Sequence, residues 1–309
     1  MLIFHNKLLI FFAIIFSLLI IILIISKIEC GQYIFNTFDI NNAKNYDKLK
    51  LIFISDFHNK YYKNDYKDLI DDIIKEKADY IIFGGDFINY SKLQKLKGVV
   101  EHENTAKFIK ALSDKINSLK ANGDYNFKGF YFGFGNHEMR LAGDDNTKLN
   151  YSINDFKKFL NDNNINIVDN NSFKLAKGIN ISGLSLYDGY YSKGFSKRHE
   201  HIEKEILDDY FNDIDIKDFN IMLFHKPDYA EDFINYGYDL VLSGHNHGGL
   251  INFPFLGPII SSDLDIFPKY AKGYYKYKDG NVIVSAGLGE HTISIRVNNK
   301  PEIVVININ

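Results

Sequence analysis

A single cysteine, Cys30, among 309 residues excludes an internal disulfide framework and equally excludes zinc sites built from thiolates. Charge of one sign is also scarce. The chain sets 36 Lys and Arg against 39 Asp and Glu, a formal net of −3. A domain that tracks a nucleic-acid backbone carries a basic face or stripe, so no nucleic acid is expected as a partner. Low-complexity disorder is absent as well, because hydrophobic periodicity persists through the abundant Asn, Ile, Lys and Tyr.

The N-terminus is a different material. Leu8 to Ile25 is apolar apart from Ser17, and as a helix it would be about 27 Å long, close to a hydrocarbon core of ~30 Å. No small-x-small cleavage site follows in Ser26-Lys27-Ile28-Glu29-Cys30, and Glu29 is not the small residue that lipoprotein processing before Cys30 requires. Residues 1–27 therefore read as an uncleaved signal anchor, a transmembrane helix giving a single pass through the cell membrane. Lys7 and the α-amino group on one side face Lys27 and Lys44 on the other, so charge sets the orientation poorly. A short N-terminus before one anchor stays inside, which puts the domain outside the cytoplasm.

Residues 28–48, with the Asn-rich stretch from Asn36 to Lys48, read as a linker or lead-in strand. Residues 49–309 then form one domain of roughly 260 residues, enough to bury about three quarters of its extended surface. Leu69, Ile70, Ile73 and Ile74 make a helical stripe, repeated by Phe108, Leu112, Ile116 and Leu119, and Phe156, Phe159 and Leu160 mark a third helix. Ile165-Val168, Phe173-Ala176 and Ile179-Leu184 read as a β meander; Val282-Ser285, Ile293-Val297 and Ile303-Ile308 read as closing strands. Two strand sets interleaved with helices predict an α/β, four-layer αββα sandwich.

The chemistry is concentrated where strands end. Ser55-Asp56-Phe57-His58, Gly84-Gly85-Asp86, Gly135-Asn136-His137-Glu138, Phe224-His225-Lys226 and Gly244-His245-Asn246-His247-Gly248-Gly249 each close an apolar, β-rich run. In open α/β sheets that is where sites assemble. Alone, Asp-x-His is an ordinary turn and the Asp of Gly-Gly-Asp an ordinary helix cap. Their joint, ordered occurrence is not ordinary. Two divalent ions ~3.5–4 Å apart need a bridging carboxylate to offset their repulsion, and Asp86 is the candidate. Asp56, His58, Asn136, His225, His245 and His247 complete a mixed N/O set suited to Mn, Fe or Zn. The flanking glycines permit positive φ and close approach of the backbone. Of the other histidines, His199 and His201 read as a solvated helix face, and His5, His102 and His291 have no partner pattern.

The ordered series Asp-x-His, Gly-Gly-Asp, Gly-Asn-His-Glu, lone His and Gly-His-x-His resembles the calcineurin-like metallophosphoesterases from about Lys50 to the C-terminus. Leu242–Gly249, Phe253–Pro258 and Ser285–Gly289 are similar to the membrane-anchored bacterial phosphodiesterases among them. The resemblance implies the metallophosphatase-like αββα fold. One ion would take Asp56, His58, Asp86 and His247, the other Asp86, Asn136, His225 and His245, with His137 as the catalytic imidazole. The implied reaction is hydrolysis of a phosphodiester or related phosphate ester by water that two divalent ions activate, with Glu138 the neighbour suited to orient His137. Arg140 and Lys226 flank motifs and could pair with phosphate, but read as exposed, solubilising charges. Competing readings are a lipid-linked pyrophosphatase, a different metal-dependent hydrolase such as an amidohydrolase, and a catalytically idle metal-binding module at the membrane. Leu250 to Ile260, with two prolines, reads as a loop near the metals that either packs or meets lipid.

Overall fold

The computed structural model describes residues 2–309 except 42–43, 45–46, 188, 192–199, 250–251, 254–256, 259–266 and 291–294. A long helix, α1 (Leu2–Cys30), leads into strand β1 (Ile34–Ile40). Then come β2 (Leu49–Ile54), α2 (Lys67–Lys75), β3 (Tyr80–Phe83), α3 (Lys92–Lys97), α4 (Glu103–Ala121), β4 (Gly129–Phe132), α5 (Asn136–Ala142), α6 (Ile153–Asp162) and β5 (Ile165–Ile167). The second half runs β6 (Asn171–Ala176), β7 (Ile179–Gly183), α7 (Lys204–Phe211), β8 (Phe219–Leu223), α8 (Ala230–Tyr236) and β9 (Leu240–Ser243). A short antiparallel pair, β10 (Asn252–Phe253) and β11 (Gly257–Pro258), precedes β12 (Gly273–Tyr277), β13 (Gly280–Val284) and β14 (Glu302–Ile308).

Two six-stranded sheets result, ordered β1-β14-β2-β3-β4-β5 and β12-β13-β9-β8-β7-β6. Period-2 alternation on strands buried on both faces explains how they stack. Along β2, Ile52 and Ile54 point to the layer under α2, α4 and α6, while Leu51 and Phe53 point to the other sheet. In the second sheet Leu240, Leu242 and Ile283 meet them, while Val241, Val282 and Val284 turn outward to α7 and α8. Helix, sheet, sheet and helix enclose three apolar layers. This is the mixed α/β, two-sheet metallophosphatase fold.

Strands β2, β3, β4 and β5 are mutually parallel, as are β7, β8, β9 and β13. Their C-terminal ends share an edge, so the loops carrying the sequence motifs emerge together.

Three expectations change. The meander is split between sheets: β5 pairs with β4, and β6 with β7. Asn170, left-handed at φ 56°, turns the chain there, and its side chain accepts from the Ser185 N–H at 2.8 Å. The strand expected at Ile293–Val297 joins neither sheet; 293–294 lie outside the described residues, and Ile295 and Arg296 are irregular because the Arg296 side chain is buried among loop carbonyls. His201 precedes α7 instead of riding on a helix, and its Nδ1 lies 3.0 Å from Asp232 Oδ1. His199, His291, the side chain of His5, and the segment Leu250–Ile260 apart from Asn252–Phe253 and Gly257–Pro258 lie outside the described residues.

Helix α1 is apolar all round and stays exposed: Phe12 is 58% and Phe16 65% accessible. Leu9–Cys30 is long and apolar enough to cross a membrane, a test that a signal sequence near the N-terminus also passes. Among the described residues, its C-terminal end is bonded to the domain. Ser26 Oγ accepts from the Arg296 N–H and Glu29 Oε2 from the Asn299 N–H, both at 2.9 Å, and Lys60 Nζ donates to the Cys30 carbonyl.

Candidate metal centre

The strand ends first tie their own backbones together. Asp56 N–H donates to Gly85 O at 2.9 Å, His58 N–H to Asp86 O at 2.9 Å and Gly244 N–H to His225 O at 2.9 Å. The His245 N–H crosses between sheets to Asp56 Oδ1 at 3.0 Å. Asp56, His58, Asp86, His245 and His247 all adopt left-handed backbone, with φ of 53°, 47°, 55°, 68° and 48°. Each such residue costs of order 1–3 kcal/mol, a strain that concentrates at functional sites. Glycine serves close approach more than φ here: Gly244 has no positive φ, but a Cβ on it would strike Ser55 Oγ and the Asp56 carboxylate.

Seven of the eight residues singled out in the sequence fall in three sets whose donor atoms lie within 4.8 Å of one another: Asp56, His58 and His247; His58, Asp86 and His137; Asp86, His225 and His245. His58 Nε2 is 3.0 Å from His247 Nε2, which is 3.4 Å from Asp56 Oδ1. Asp86 Oδ2 stands 3.2 Å from His225 Nε2 and 3.8 Å from His58 Nε2. Asn136 joins through its Oδ1, 2.8 Å from His245 Nδ1. Every set includes a buried carboxylate.

Hydrogen bonds assign distinct roles to the imidazoles. His225 Nδ1 lies 2.7 Å from the Gly84 carbonyl and so donates to it, which turns the lone pair to Nε2. That Nε2 is buried and has no hydrogen-bond partner. Burial would lower His225, but the Asp86 and Asp56 carboxylates outweigh it and push the imidazole up to about 10. This point of the cluster draws positive charge. The same balance acts on Asp86: burial raises it, yet His225, His137 and His58 hold it well below the usual carboxylate range. Burial leaves Asp56 raised, despite the pull of His225. An orphaned buried nitrogen beside two carboxylates fits a divalent cation, and calcineurin-like phosphoesterases use divalent metals.

His137 is wired the other way. Its Nδ1 accepts from the Tyr90 N–H at 2.9 Å, so the neutral ring carries its proton on Nε2, 3.9 Å from Asp86 Oδ2. Tyr90 therefore orients His137, and Glu138 does not. The Glu138 carboxylate turns to backbone: Oε1 accepts from Phe87 and Ile88 N–H at 2.8 and 3.1 Å, Oε2 from Asp86 and Gly135 N–H at 2.8 and 2.9 Å. Burial and the Asp86 charge push it up to about 7 against these four donors. Four accepted bonds need both oxygens free of protons. Glu138 thus pins the Asp86 loop to the Asn136 loop.

Arg140 and Lys226 are not solubilising charges. Arg140 donates to the Tyr90 carbonyl at 2.7 Å, while Lys226 is buried, 3.7 Å from Asp228. Sequence reasoning also missed Tyr191, edge-on to His245 with ring centroids 5.7 Å apart, and Asn299, whose Nδ2 donates to the carbonyls of His247 and Gly249 at 2.7 Å. Neither carries a motif.

The model of a family described as calcineurin-like phosphoesterase matches residues 49–249. The chain is similar to the uncharacterized metallophosphoesterase YkuE of Bacillus subtilis (strain 168), 26% identical over 262 residues covering 84% of this chain and 79% of that protein. It is similar to YkoQ of the same organism, also an uncharacterized metallophosphoesterase, 25% identical across 83% of this chain and 82% of that one. Among solved structures, TT1561 of Thermus thermophilus overlaps 79% of this chain and 92% of its own, at 10% identity and a TM-score of 0.45.

Proposed function

Because the chain belongs to the calcineurin-like phosphoesterase family, we propose that it is a membrane-anchored phosphoesterase with a dinuclear metal centre, cleaving a phosphodiester or a related phosphate ester. One ion is held by Asp56, His58, Asp86 and His247, the other by Asp86, Asn136, His225 and His245. The observation that carries this is the position of Asp86 Oδ2, within 3.8 Å of imidazoles from both sets, beside the orphaned Nε2 of His225. Bound there, two ions of the Mn, Fe or Zn type supply polarisation of the phosphoryl oxygens and a water of lowered pKa.

The residues of the chain do the rest. Asp86 offsets the repulsion between cations, and Glu138 holds its loop. His137 presents an Nε2 proton to the departing oxygen, a contribution of about 10²–10⁴ in rate for a placed acid. That tautomer argues against His137 as a ligand and against an idle binding module, which has no use for an acid there.

Residues 1–27 serve as the anchor, 28–48 as the connection and 49–309 as the catalytic domain, outside the cytoplasm. An all-round apolar, exposed helix favours a span, and Ser17 satisfies its hydroxyl internally on the Ala13 carbonyl at 2.8 Å, as a bilayer interior demands.

The test is His137→Ala with a chromogenic diester and added Mn²⁺: turnover is expected to fall by about two orders of magnitude or more with metal content near wild type. Loss of metal in step with activity would make His137 a ligand. A panel of monoesters, diesters and sugar-nucleotide lipids then separates a phosphodiesterase from a lipid-linked pyrophosphatase.

A further inference from the structure

Among the described residues, the buried hydroxyls of Ser185, Tyr191 and Tyr238 have no hydrogen-bond partner. Tyr238 belongs to the outer apolar layer under α7 and α8. Tyr191 is different, because its ring borders the candidate ligands: its centroid is 5.7 Å from that of His245 and 6.4 Å from that of His225. The ring is held in place. It stacks on the buried Phe224 at 6.2 Å and 25°, and the preceding carbonyl, Tyr190 O, accepts from the Tyr229 hydroxyl at 3.1 Å.

The residue as a whole is half-buried, yet its hydroxyl oxygen is sealed from solvent. The hydroxyl therefore lies on the buried side of the residue, within the electrostatic reach of the Asp86 and Glu138 carboxylates. Packing that fixes a phenol so firmly while leaving its O–H without an acceptor is destabilising by itself, and buried polar groups are nearly always satisfied. The missing acceptor is one that arrives. A phosphate ester brings several unprotonated oxygens to this spot, next to His245 and His225, and a phenol can donate to one of them without changing its protonation state.

We propose that Tyr191 is a substrate-binding residue whose hydroxyl donates a hydrogen bond to a non-bridging phosphoryl oxygen, an inference that rests on the phosphoesterase reading. Recognition of this kind favours any phosphate ester over an uncharged ester of the same shape, since the acceptor oxygen must be present and exposed.

Tyr191→Phe in the full chain removes the hydroxyl and nothing else. With bis-p-nitrophenyl phosphate and Mn²⁺, kcat/KM is expected to fall about ten- to a hundred-fold, and inorganic phosphate to bind more weakly by a similar factor, as for a hydrogen bond to a charged acceptor. Metal content stays at the wild-type level. The melting temperature stays equal or rises, because an unpaired buried group has been deleted; a structural hydrogen bond would predict a fall. If kcat/KM and the calorimetric affinity for phosphate both remain within twofold of wild type, Tyr191 does not bind the phosphoryl group. Should the wild type hydrolyse no phosphate ester, the functional reading fails, and the phosphate titration of wild type against Tyr191→Phe still decides the role of the hydroxyl.

Discussion

Glu138→Gln tests how the site is held together without touching a metal ligand. The carboxylate accepts four backbone N–H bonds, two on each oxygen. A glutamine keeps the shape but turns one oxygen into an NH₂ group, which must then face two N–H donors. Either amide orientation strands a pair, Asp86 with Gly135 or Phe87 with Ile88. Each buried, unsatisfied donor costs about 1–3 kcal/mol, so the change is expected to destabilise by ~2–6 kcal/mol, against total stabilities of roughly 5–15. At ~2–4 °C per kcal/mol for a domain of this size, even the lower bound lowers the melting temperature by about 4–8 °C. The assay is thermal unfolding of the detergent-solubilised full chain, with excess Mn²⁺ and with chelator, alongside metal analysis. Metal content should fall with stability, because the loops of Asp86 and Asn136 lose their shared pin. A variant melting within about 1 °C of wild type and keeping its metal would refute the claim that Glu138 carries these donors as an ionised acceptor.

Two other expectations follow from the same geometry. Asp86→Ala removes the carboxylate both ions share and is expected to empty both positions together; two tightly bound ions per chain in this variant would take Asp86 out of the centre of the scheme. Glu29→Ala frees the Asn299 N–H and loosens the side chain that holds the His247 and Gly249 carbonyls, so metal affinity should drop several-fold while Glu29→Gln, which keeps an acceptor, restores it; equal affinities for both variants and wild type would reduce α1 to a tether.

The candidate ligands were legible as a group because each sits where an apolar β run stops at a glycine-flanked loop, and parallel strands bring such ends to one edge whatever the intervening sequence. Asp56, His58 and Asp86 needed only that logic. Glu138 did not yield to it: the residue is visible beside His137, but three of its four partners are backbone amides some fifty positions upstream, and no side-chain pattern records a backbone donor. Tyr191 is one of 21 tyrosines, marked only by what its hydroxyl lacks after folding. The split of β5 from β6 escaped because strand periodicity reports which faces are buried and is silent about which sheet buries them. Arg296 sat inside an apparent β run, and its side chain is buried among the carbonyls of Ala286, Gly289 and Asn299, which no residue pattern records.

That meeting has a consequence for how the molecule is made. Among the described strands β1 pairs with β14 alone, and the C-terminal end of α1 is bonded to Arg296 and Asn299 just before β14. Strand β1 thus leaves the ribosome well before the strand it pairs with. At about 5–20 residues per second the interval is on the order of tens of seconds. During it β2 lacks its β14 neighbour, and the loop carrying His247 lacks Asn299. Helix α1, made early, is among the last elements to be locked into the fold, so a chain interrupted before Arg296 loses β14, the clasp on α1 and the clamp on His247 in one step.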